Sequence, residues 1–266
     1  MVAAAWRAFD VEIAKWKDLG RVAEFWWRDD DASSPSAALS RLYSLASRTQ
    51  VPLALAVVPE RAEPAAFEWL PTNVAVIQHG TDHLNRATGK EKKTEFSITE
   101  PSGEAVRRLL EARGTLERMV GGGRVLRVLA PPWNRVPGAL VRELAAAGYI
   151  GLSTFGPRKT AVEGGGPVQI NTHVDIIDWK GKRDFCGVEA ALAQAISHLA
   201  GRRTGLADVK EPTGWLSHHA VHDEQCWDFL ERLFEATQKI GGVHWCSPNS
   251  LFTASQAETG RKGQPD

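Results

Sequence analysis

The sequence predicts a single α/β domain built around a parallel β-sheet or barrel. Short apolar runs alternate along the chain with segments of helical periodicity, a pattern typical of strands joined by crossover helices. Polar clusters directly follow five of the predicted strands, and in parallel α/β folds functional residues gather at the carboxyl ends of strands. The chain has 266 residues, 43% of them hydrophobic, which is enough for one substantial core.

The predicted elements follow in order. Residues 1–22 form an amphipathic helix that ends at Gly20 and packs on the barrel. Strands are expected at 23–27, 52–58, 74–78, 124–130, 151–155, 168–174, 213–218 and 242–247. Helices are expected between them at 36–50, 102–120, 137–148, 187–201 and 223–240. Ser102 with Glu104, and Gly148, are the expected caps of two of these helices.

No linker divides residues 23–254, which we expect to be one domain. The polar segment 85–101 is expected to be a surface excursion, 161–167 a flexible loop, and 255–266 a disordered tail.

The composition excludes several classes of function. Lys and Arg number 32 and so do Asp and Glu, so no overall field attracts nucleic acid or an anionic membrane. The three cysteines form no C-x-x-C pair, which argues against a disulfide framework or a thiolate zinc site. No apolar run is long enough for a membrane span, and the N-terminus lacks the pattern of a signal peptide. We therefore expect a cytoplasmic protein that has neither nucleic acid nor a membrane as its partner.

Three consecutive acids, Asp29, Asp30 and Asp31, follow the first strand in "EFWWRDDDASS". Adjacent carboxylates repel one another unless a cation or a proton relieves them. Without a function the three acids would form a solvated acidic turn, whereas the functional interpretation is a metal or acid/base site. Arg28 is expected to neutralise part of the cluster from beneath it.

His79 and His83 form an H-x-x-x-H pair after the third strand. On a helical turn, imidazoles four residues apart point the same way and can bind one cation. Two surface histidines are the alternative. With one carboxylate from the triple Asp, a His₂Asp site becomes possible, which suits zinc, with cobalt, nickel or manganese as alternatives.

Three more polar clusters follow later strands: "APPWNR", "HVDIIDW" and "LSHHAVHD". The last supplies His218, His219 and His222, any one of which could protonate a leaving group. Asp175 or Asp178 could orient that histidine. Trp133 and Trp179 offer flat apolar walls, although lone tryptophans are more often part of a core.

These clusters, in this order, resemble the motifs of the polysaccharide deacetylases, the NodB-homology domain of carbohydrate esterase family four. The likeness runs over roughly residues 23–222. It implies a distorted (β/α)₇ barrel and a metal-dependent hydrolase that removes acetyl groups from sugars.

The resemblance also implies a role for individual residues. In "RDDDA", Asp30 would be the base and Asp31 a metal ligand, although a shift of one residue would give Asp29 and Asp30 instead. The remaining correspondences are His79 and His83 as metal ligands, Pro132 and Trp133 in the third motif, Asp175, Asp178 and Trp179 in the fourth, and Leu216 with the acid His218 in the fifth. Trp133, Pro132, Trp179 and Leu216 would contact substrate, and His219 is the rival acid.

Two departures from the family pattern stand out. Gly80 replaces the usual Ser or Thr, which generally braces the metal loop, and Thr81 lies next to it. Ala130 stands where an arginine usually positions the base, so Arg28, Asn134 or Arg135 would have to substitute. The leading expectation is deacetylation of an N-acetylated sugar or small glycan. The alternative is a sugar- and metal-binding protein that is inactive or weakly active because this arginine is missing.

Overall fold

The structure is a computed structural model that describes residues 1–158 and 166–253. Within these ranges nine strands form one sheet in which every ladder is parallel. They are β1 Ala23–Ala32, β2 Leu53–Val57, β3 Val74–Gln78, β4 Val125–Leu129, β5 Gly151–Leu152, β6 Val168–Gln169, β7 Val174–Asp175, β8 Thr213–Ser217 and β9 Val243–Trp245.

The segment 168–175 closes this sheet into a barrel. The strand order is β6-β5-β4-β3-β2-β1-β8-β7, so the two edge strands are the two ends of this one segment. The Ile170 amide donates to the Leu152 carbonyl at 3.0 Å, and the His173 amide donates to the Gly214 carbonyl at 2.7 Å. Counted as one strand, the segment completes a ring of seven, with β9 attached to β1. The expected distorted (β/α)₇ barrel is confirmed.

Six α-helices surround the barrel in the described part of the chain: α1 Val2–Asp18, α2 Ala37–Thr49, α3 Ser102–Val120, α4 Gly138–Leu144, α5 Val188–Thr204 and α6 Glu224–Ile240. Most expected bounds agree within a few residues, but α4 stops early and the strand expected at 168–174 is interrupted. The capping role expected of Ser102 is wrong, because it is the first helical residue and Pro101 precedes it without a side-chain cap. No helix in the described ranges is long and apolar enough to cross a membrane.

Helix α1 lies against α5 and contributes its buried aromatic face to the core. Phe9 stacks on Phe25 of β1 and meets Trp215 of β8 edge to face. The N-terminal helix therefore packs on the barrel strands themselves. Of the loop expected at 161–167, residues 161–165 lie outside the described ranges, as does the whole tail 255–266.

A buried polar cluster lies beside the closing segment. The rings of His173 and His198 stack with centroids 3.4 Å apart, and His173 Nε2 lies 3.4 Å from Oε2 of the buried Glu211. Because His173 Nδ1 accepts a hydrogen bond from the Gly214 amide at 3.0 Å, its ring proton belongs on Nε2. A proton on that nitrogen, facing Glu211, leaves no lone pair for a metal, so the tautomer of His173 argues against a metal site in this buried cluster.

Candidate active site

Strand β1 carries all three acids, so it does not end at Trp27 as expected. Asp29 pairs in register with Leu55 of β2 and Ser217 of β8. The register then shifts between Asp29 and Ala32, and Asp31 has a φ of 71°. Side chains alternate faces along a regular strand, and this irregularity lets Asp30 and Asp31 line the same cavity.

Asp29 is directed elsewhere, into a buried ion pair. Its Oδ1 lies 2.5 Å from His219 Nδ1, while its Oδ2 accepts hydrogen bonds from Ser217 Oγ at 2.6 Å and the His219 amide at 3.0 Å. Burial raises the pKa of the Asp29 carboxyl, but His219 lowers it by more, so the net pKa is below its ordinary value. Neither Asp29 nor His219 lines the cavity, whereas Asp30, Asp31 and His218 do.

Asp31, His79 and His83 form a cluster with the donor set of a metal site. Asp31 Oδ1 lies 3.1 Å from His79 Nε2 and 3.3 Å from His83 Nε2. His79 Nδ1 lies 2.9 Å from the Ala130 carbonyl, to which it donates its proton, so its Nε2 lone pair points at the cluster. Two imidazoles and one carboxylate fit Zn²⁺ and related divalent ions.

The electrostatics of this cluster favour positive charge. Burial raises the pKa of Asp31, but hydrogen bonds from His79 and His83 and the charges of His79 and His218 together lower it by more, and the net pKa lies well below its ordinary value. Burial lowers the pKa of His79, whereas Asp30 and Asp31 raise it, and the net pKa is above its ordinary value. A divalent ion would supply the positive charge that protonated imidazole otherwise provides.

The two histidines converge through a loop, and the helical turn expected for H-x-x-x-H is wrong. Gly80 and His83 both have positive φ, 63° and 58°. Glu95 braces this loop: its Oε1 accepts from the Thr81 amide and hydroxyl at 2.7 and 2.5 Å, and its Oε2 accepts from the His83 amide at 3.1 Å. A Cβ on residue 80 would lie 2.2 Å from Glu95 Oε2, which explains why glycine stands there.

Glu95 is a site residue that the sequence did not reveal. It belongs to the expected surface excursion 85–101, yet it is fully buried, as is Phe96 beside it. Burial raises the pKa of Glu95 despite its hydrogen bonds from Thr81. The apolar Phe96 after a run of lysines is the one sequence feature that indicated a return to the core.

Arg28 contacts the carboxylate of Asp30, two residues along the same strand face. Its Nη2 donates to Asp30 Oδ2 at 2.9 Å, and its Nε lies 2.9 Å from Oδ1 without hydrogen-bond alignment. The guanidinium is itself fixed by Ser153 Oγ at 2.7 Å and by Asn134 Oδ1 at 2.7 Å. Arg28 thus makes the contact with the Asp30 carboxylate that was expected of an arginine at position 130, where this chain has alanine. Arg135 does not, since its Nη1 donates to the Lys93 carbonyl.

His218 faces Asp30 from the end of β8. Its Nε2 lies 3.9 Å from Asp30 Oδ2, its Nδ1 is buried without a hydrogen-bond partner, and the ring of Trp179 meets it edge to face at 4.7 Å. Asp175 accepts a hydrogen bond from Trp179 Nε1 at 2.7 Å. Burial raises the pKa of Asp175, and the charge of His218 offsets only part of that increase.

These groups share one cavity of about 700 Å³ at the carboxyl ends of the strands. Its walls come from Asp30, Asp31, His79, His83, Lys93, Trp133, Asn134, Arg135, Phe155, Asp175, Trp179, Arg183 and His218. Four expected site residues are not in these walls, one of them Arg28, which contacts Asp30 from outside the cavity. Pro132 and Leu216 are buried behind them, and Asp178 instead accepts backbone hydrogen bonds from Lys180 and Gly181.

Backbone strain is concentrated around this cavity. Six non-glycine residues in the described ranges have positive φ, and five of them line it: Asp31, His83, Trp133, Asn134 and Arg183. Such conformations cost about 1 to 3 kcal/mol each and persist where surrounding structure enforces them, most often at functional sites.

No family model matches this sequence, and no curated protein matches it either. Solved structures do. A Mycobacterium smegmatis protein assigned to the polysaccharide deacetylases superposes with a TM-score of 0.64 at 15% identity, covering 90% of this chain and 92% of its own. This chain has the polysaccharide deacetylase fold.

Two further structures with this fold have defined names. A family 4 acetyl xylan esterase from Clostridium thermocellum, in complex with a cobalt ion, has a TM-score of 0.55 at 13% identity and covers 88% of this chain and 92% of its own. The peptidoglycan deacetylase PdaC from Bacillus subtilis has a TM-score of 0.54 at 13% identity, with coverages of 91% and 95%. The resemblance read from the sequence motifs is therefore confirmed at the level of the fold.

Proposed function

We propose that this protein is a metal-dependent hydrolase that removes an acetyl or similar acyl group from an N-acetylated sugar or related small glycan. The observation that carries the proposal is the convergence of a His₂Asp cluster, an arginine-held carboxylate and a histidine in one cavity. Deacetylases and acetyl esterases with the same fold support the acyl chemistry.

Asp31, His79 and His83 would hold the ion. Zn²⁺ is the first expectation from this donor set, with cobalt, nickel or manganese as alternatives, and the Clostridium thermocellum esterase was solved with cobalt. When bound, such an ion polarises the acyl carbonyl and makes water more acidic.

Asp30 acts as the general base in this mechanism. Its Oδ2 takes a proton from the attacking water, and Arg28 holds the carboxylate through a hydrogen bond to Oδ2 and an ion-pair contact with Oδ1. Asp29 cannot serve, because both its oxygens are occupied by His219 and Ser217.

His218 acts as the general acid. It presents Nε2 to the cavity on the Asp30 side and can deliver a proton to the departing nitrogen or oxygen. Asp175 lies close enough for its charge to act on His218. Trp133, Phe155 and Trp179 supply flat apolar walls suited to a sugar ring.

The experiment is acetate release from a panel of N-acetylated sugars, with metal-stripped protein reloaded with zinc, cobalt or nickel. We expect turnover with at least one metal and none in the stripped protein. Asp31→Ala and His79→Ala should lose bound metal, whereas Asp30→Asn should keep the metal and lose turnover. Full metal content in both ligand variants would refute the site assignment.

The same panel tests the alternative of a non-catalytic sugar- and metal-binding protein. The main reason for that alternative was the missing third-motif arginine, and the contact of Arg28 with Asp30 weakens it. Zinc-loaded protein that binds acetylated sugars yet releases no acetate would decide in its favour.

A further inference from the structure

The mouth of the cavity is rich in positive charge, although the chain as a whole has none in excess. Lys93, Arg135 and Arg183 line the cavity. Lys93 belongs to the sequence "GKEKK" at 89–93, and Arg183 to "KGKR" at 180–183, so two basic loops flank one opening.

The acids of the cavity do not neutralise these cations. Asp30 is paired with Arg28, Asp31 contacts the two histidines, and Asp175 accepts hydrogen bonds from Trp179 and the Ile177 amide. In the described ranges, neither the Lys93 ammonium nor the Arg183 guanidinium has a hydrogen-bond or ion-pair partner. Unpaired cations at a cavity mouth create a local positive potential that favours an anionic ligand.

Both loops hold their cations at defined backbone positions. Arg135 Nη1 donates to the Lys93 carbonyl at 2.7 Å, which fixes the Arg135 guanidinium against the backbone of the loop that carries Lys93. Thr94, next to Lys93, is buried, and its amide donates to Asn85 Oδ1 at 3.1 Å.

The Arg183 loop is closed by its own hydrogen bonds. Asp178 Oδ1 accepts from the amides of Lys180 and Gly181 at 3.1 and 3.0 Å, and the Arg183 amide donates to the Asp178 carbonyl at 3.1 Å. Arg183 itself has a φ of 61°, a conformation that the closed loop enforces.

We propose that the substrate carries an anionic group, a phosphate or a carboxylate, which Lys93, Arg135 and Arg183 bind while the acyl group lies at Asp30 and the His₂Asp cluster. Arginine and lysine together are suited to both anions, arginine through paired N–H donors and lysine as a point charge. This inference rests on the proposed function, because it names the class of substrate for that same site.

The test measures binding to full-length, metal-stripped protein, so that the anion cannot coordinate a metal ion. Calorimetry compares four sugars: N-acetylglucosamine, its 1-phosphate, its 6-phosphate, and N-acetylmuramic acid as the carboxylate. The protein variants are Lys93→Gln and Arg183→Gln. The matched controls are Lys92→Gln and Lys182→Gln, which remove a charge from the same loops without touching the cavity wall.

We expect at least one anionic sugar to bind about tenfold or more tightly than the neutral sugar, with Lys93→Gln and Arg183→Gln each weakening it about three- to tenfold and the controls less than twofold. The phosphate and carboxylate arms tell the two anions apart. Equal binding of neutral and anionic sugars would overturn the inference, and so would control variants that lose as much as the cavity variants, since a diffuse field would then suffice.

Acetate release from the same sugars by metal-loaded protein separates the two proposals. If acetate release does not discriminate between neutral and anionic sugars, and neither Lys93→Gln nor Arg183→Gln changes KM, the anion-site proposal is wrong and the hydrolase proposal stands. If binding depends on the charge of the sugar as expected but no sugar releases acetate, the anion-site proposal stands and the hydrolase proposal is wrong.

Discussion

Replacing Arg28 should separate catalysis from metal binding. Arg28 is fully buried, contacts Asp30, and donates three further hydrogen bonds to Ser153 and Asn134. Arg28→Met leaves a buried carboxylate without its cation, which costs about 3 to 5 kcal/mol of unfolding free energy. Arg28→Lys keeps the charge but not the planar fork, so it should retain the fold better and still misplace the base.

We expect Arg28→Lys to lower kcat/KM by about 10²- to 10⁴-fold, the usual contribution of a positioned general base. Metal content should not change, since Arg28 contacts none of the three ligands. The assay is kcat/KM for acetate release from pH 5 to 9, with metal content and unfolding free energy measured on the same samples.

Arg202→Met is the matched control, because Arg202 is equally buried and hydrogen-bonded, yet its partners Glu24, Thr213 and Val209 do not line the cavity. It should lower stability without lowering kcat/KM of the folded fraction. The reasoning is refuted if kcat/KM of Arg28→Lys stays within twofold of the parent protein, or if Arg202→Met loses as much activity.

Three further predictions concern the surroundings of the site. Glu95→Gln removes one acceptor from the loop that carries His83, so metal affinity in a chelator competition should fall about 10- to 100-fold, and unchanged affinity would contradict the bracing role. Burial, with the charges of His173 and Arg202, lowers the pKa of His198 to about 2. Because His198 takes up a proton below about pH 6.5 only in the unfolded state, the free energy of unfolding should fall as the pH falls, by about 2 kcal/mol at pH 5.0. Urea unfolding at pH 7.5 and 5.0 should show a smaller loss in His198→Gln, and an equal loss would count against this account. Asp29→Asn should lower unfolding free energy by about 3 to 5 kcal/mol while leaving metal affinity unchanged, and a loss of metal instead would return Asp29 to the site.

The barrel was predictable because its inner strands are continuous apolar runs. The runs at β2 and β3 are buried at every position, the pattern expected of strands covered on both faces. The end of β1 was not predictable in the same way. Asp29 continues the strand because His219, 190 residues away in the sequence, provides its partner, and a sequence pattern carries no trace of that pairing.

Some of the candidate site residues were likewise predictable from the sequence, and others were not. His79, His83 and Asp31 were identified as a group because their residue types and order match a known ligand pattern. The sequence showed that the third-motif arginine is missing. It did not show which residue takes its place, since several nearby cations could have done so. The choice of Arg28 follows from the strand pleat, which places residues 28 and 30 on one face, and from Ser153 and Asn134, which come from distant segments.

Selection for stability alone would alter this cavity, because five of its residues have a left-handed backbone conformation. Glycine at any of them would relieve roughly 1 kcal/mol of backbone strain, so a screen for thermal stability should enrich glycine there. At Asp31 and His83 that change removes a proposed metal ligand, at Asn134 a partner of Arg28, and at Arg183 a cation of the cavity mouth. A stabilised variant obtained in this way would keep the barrel and lose its chemistry, so libraries that aim at a robust enzyme should hold these positions fixed.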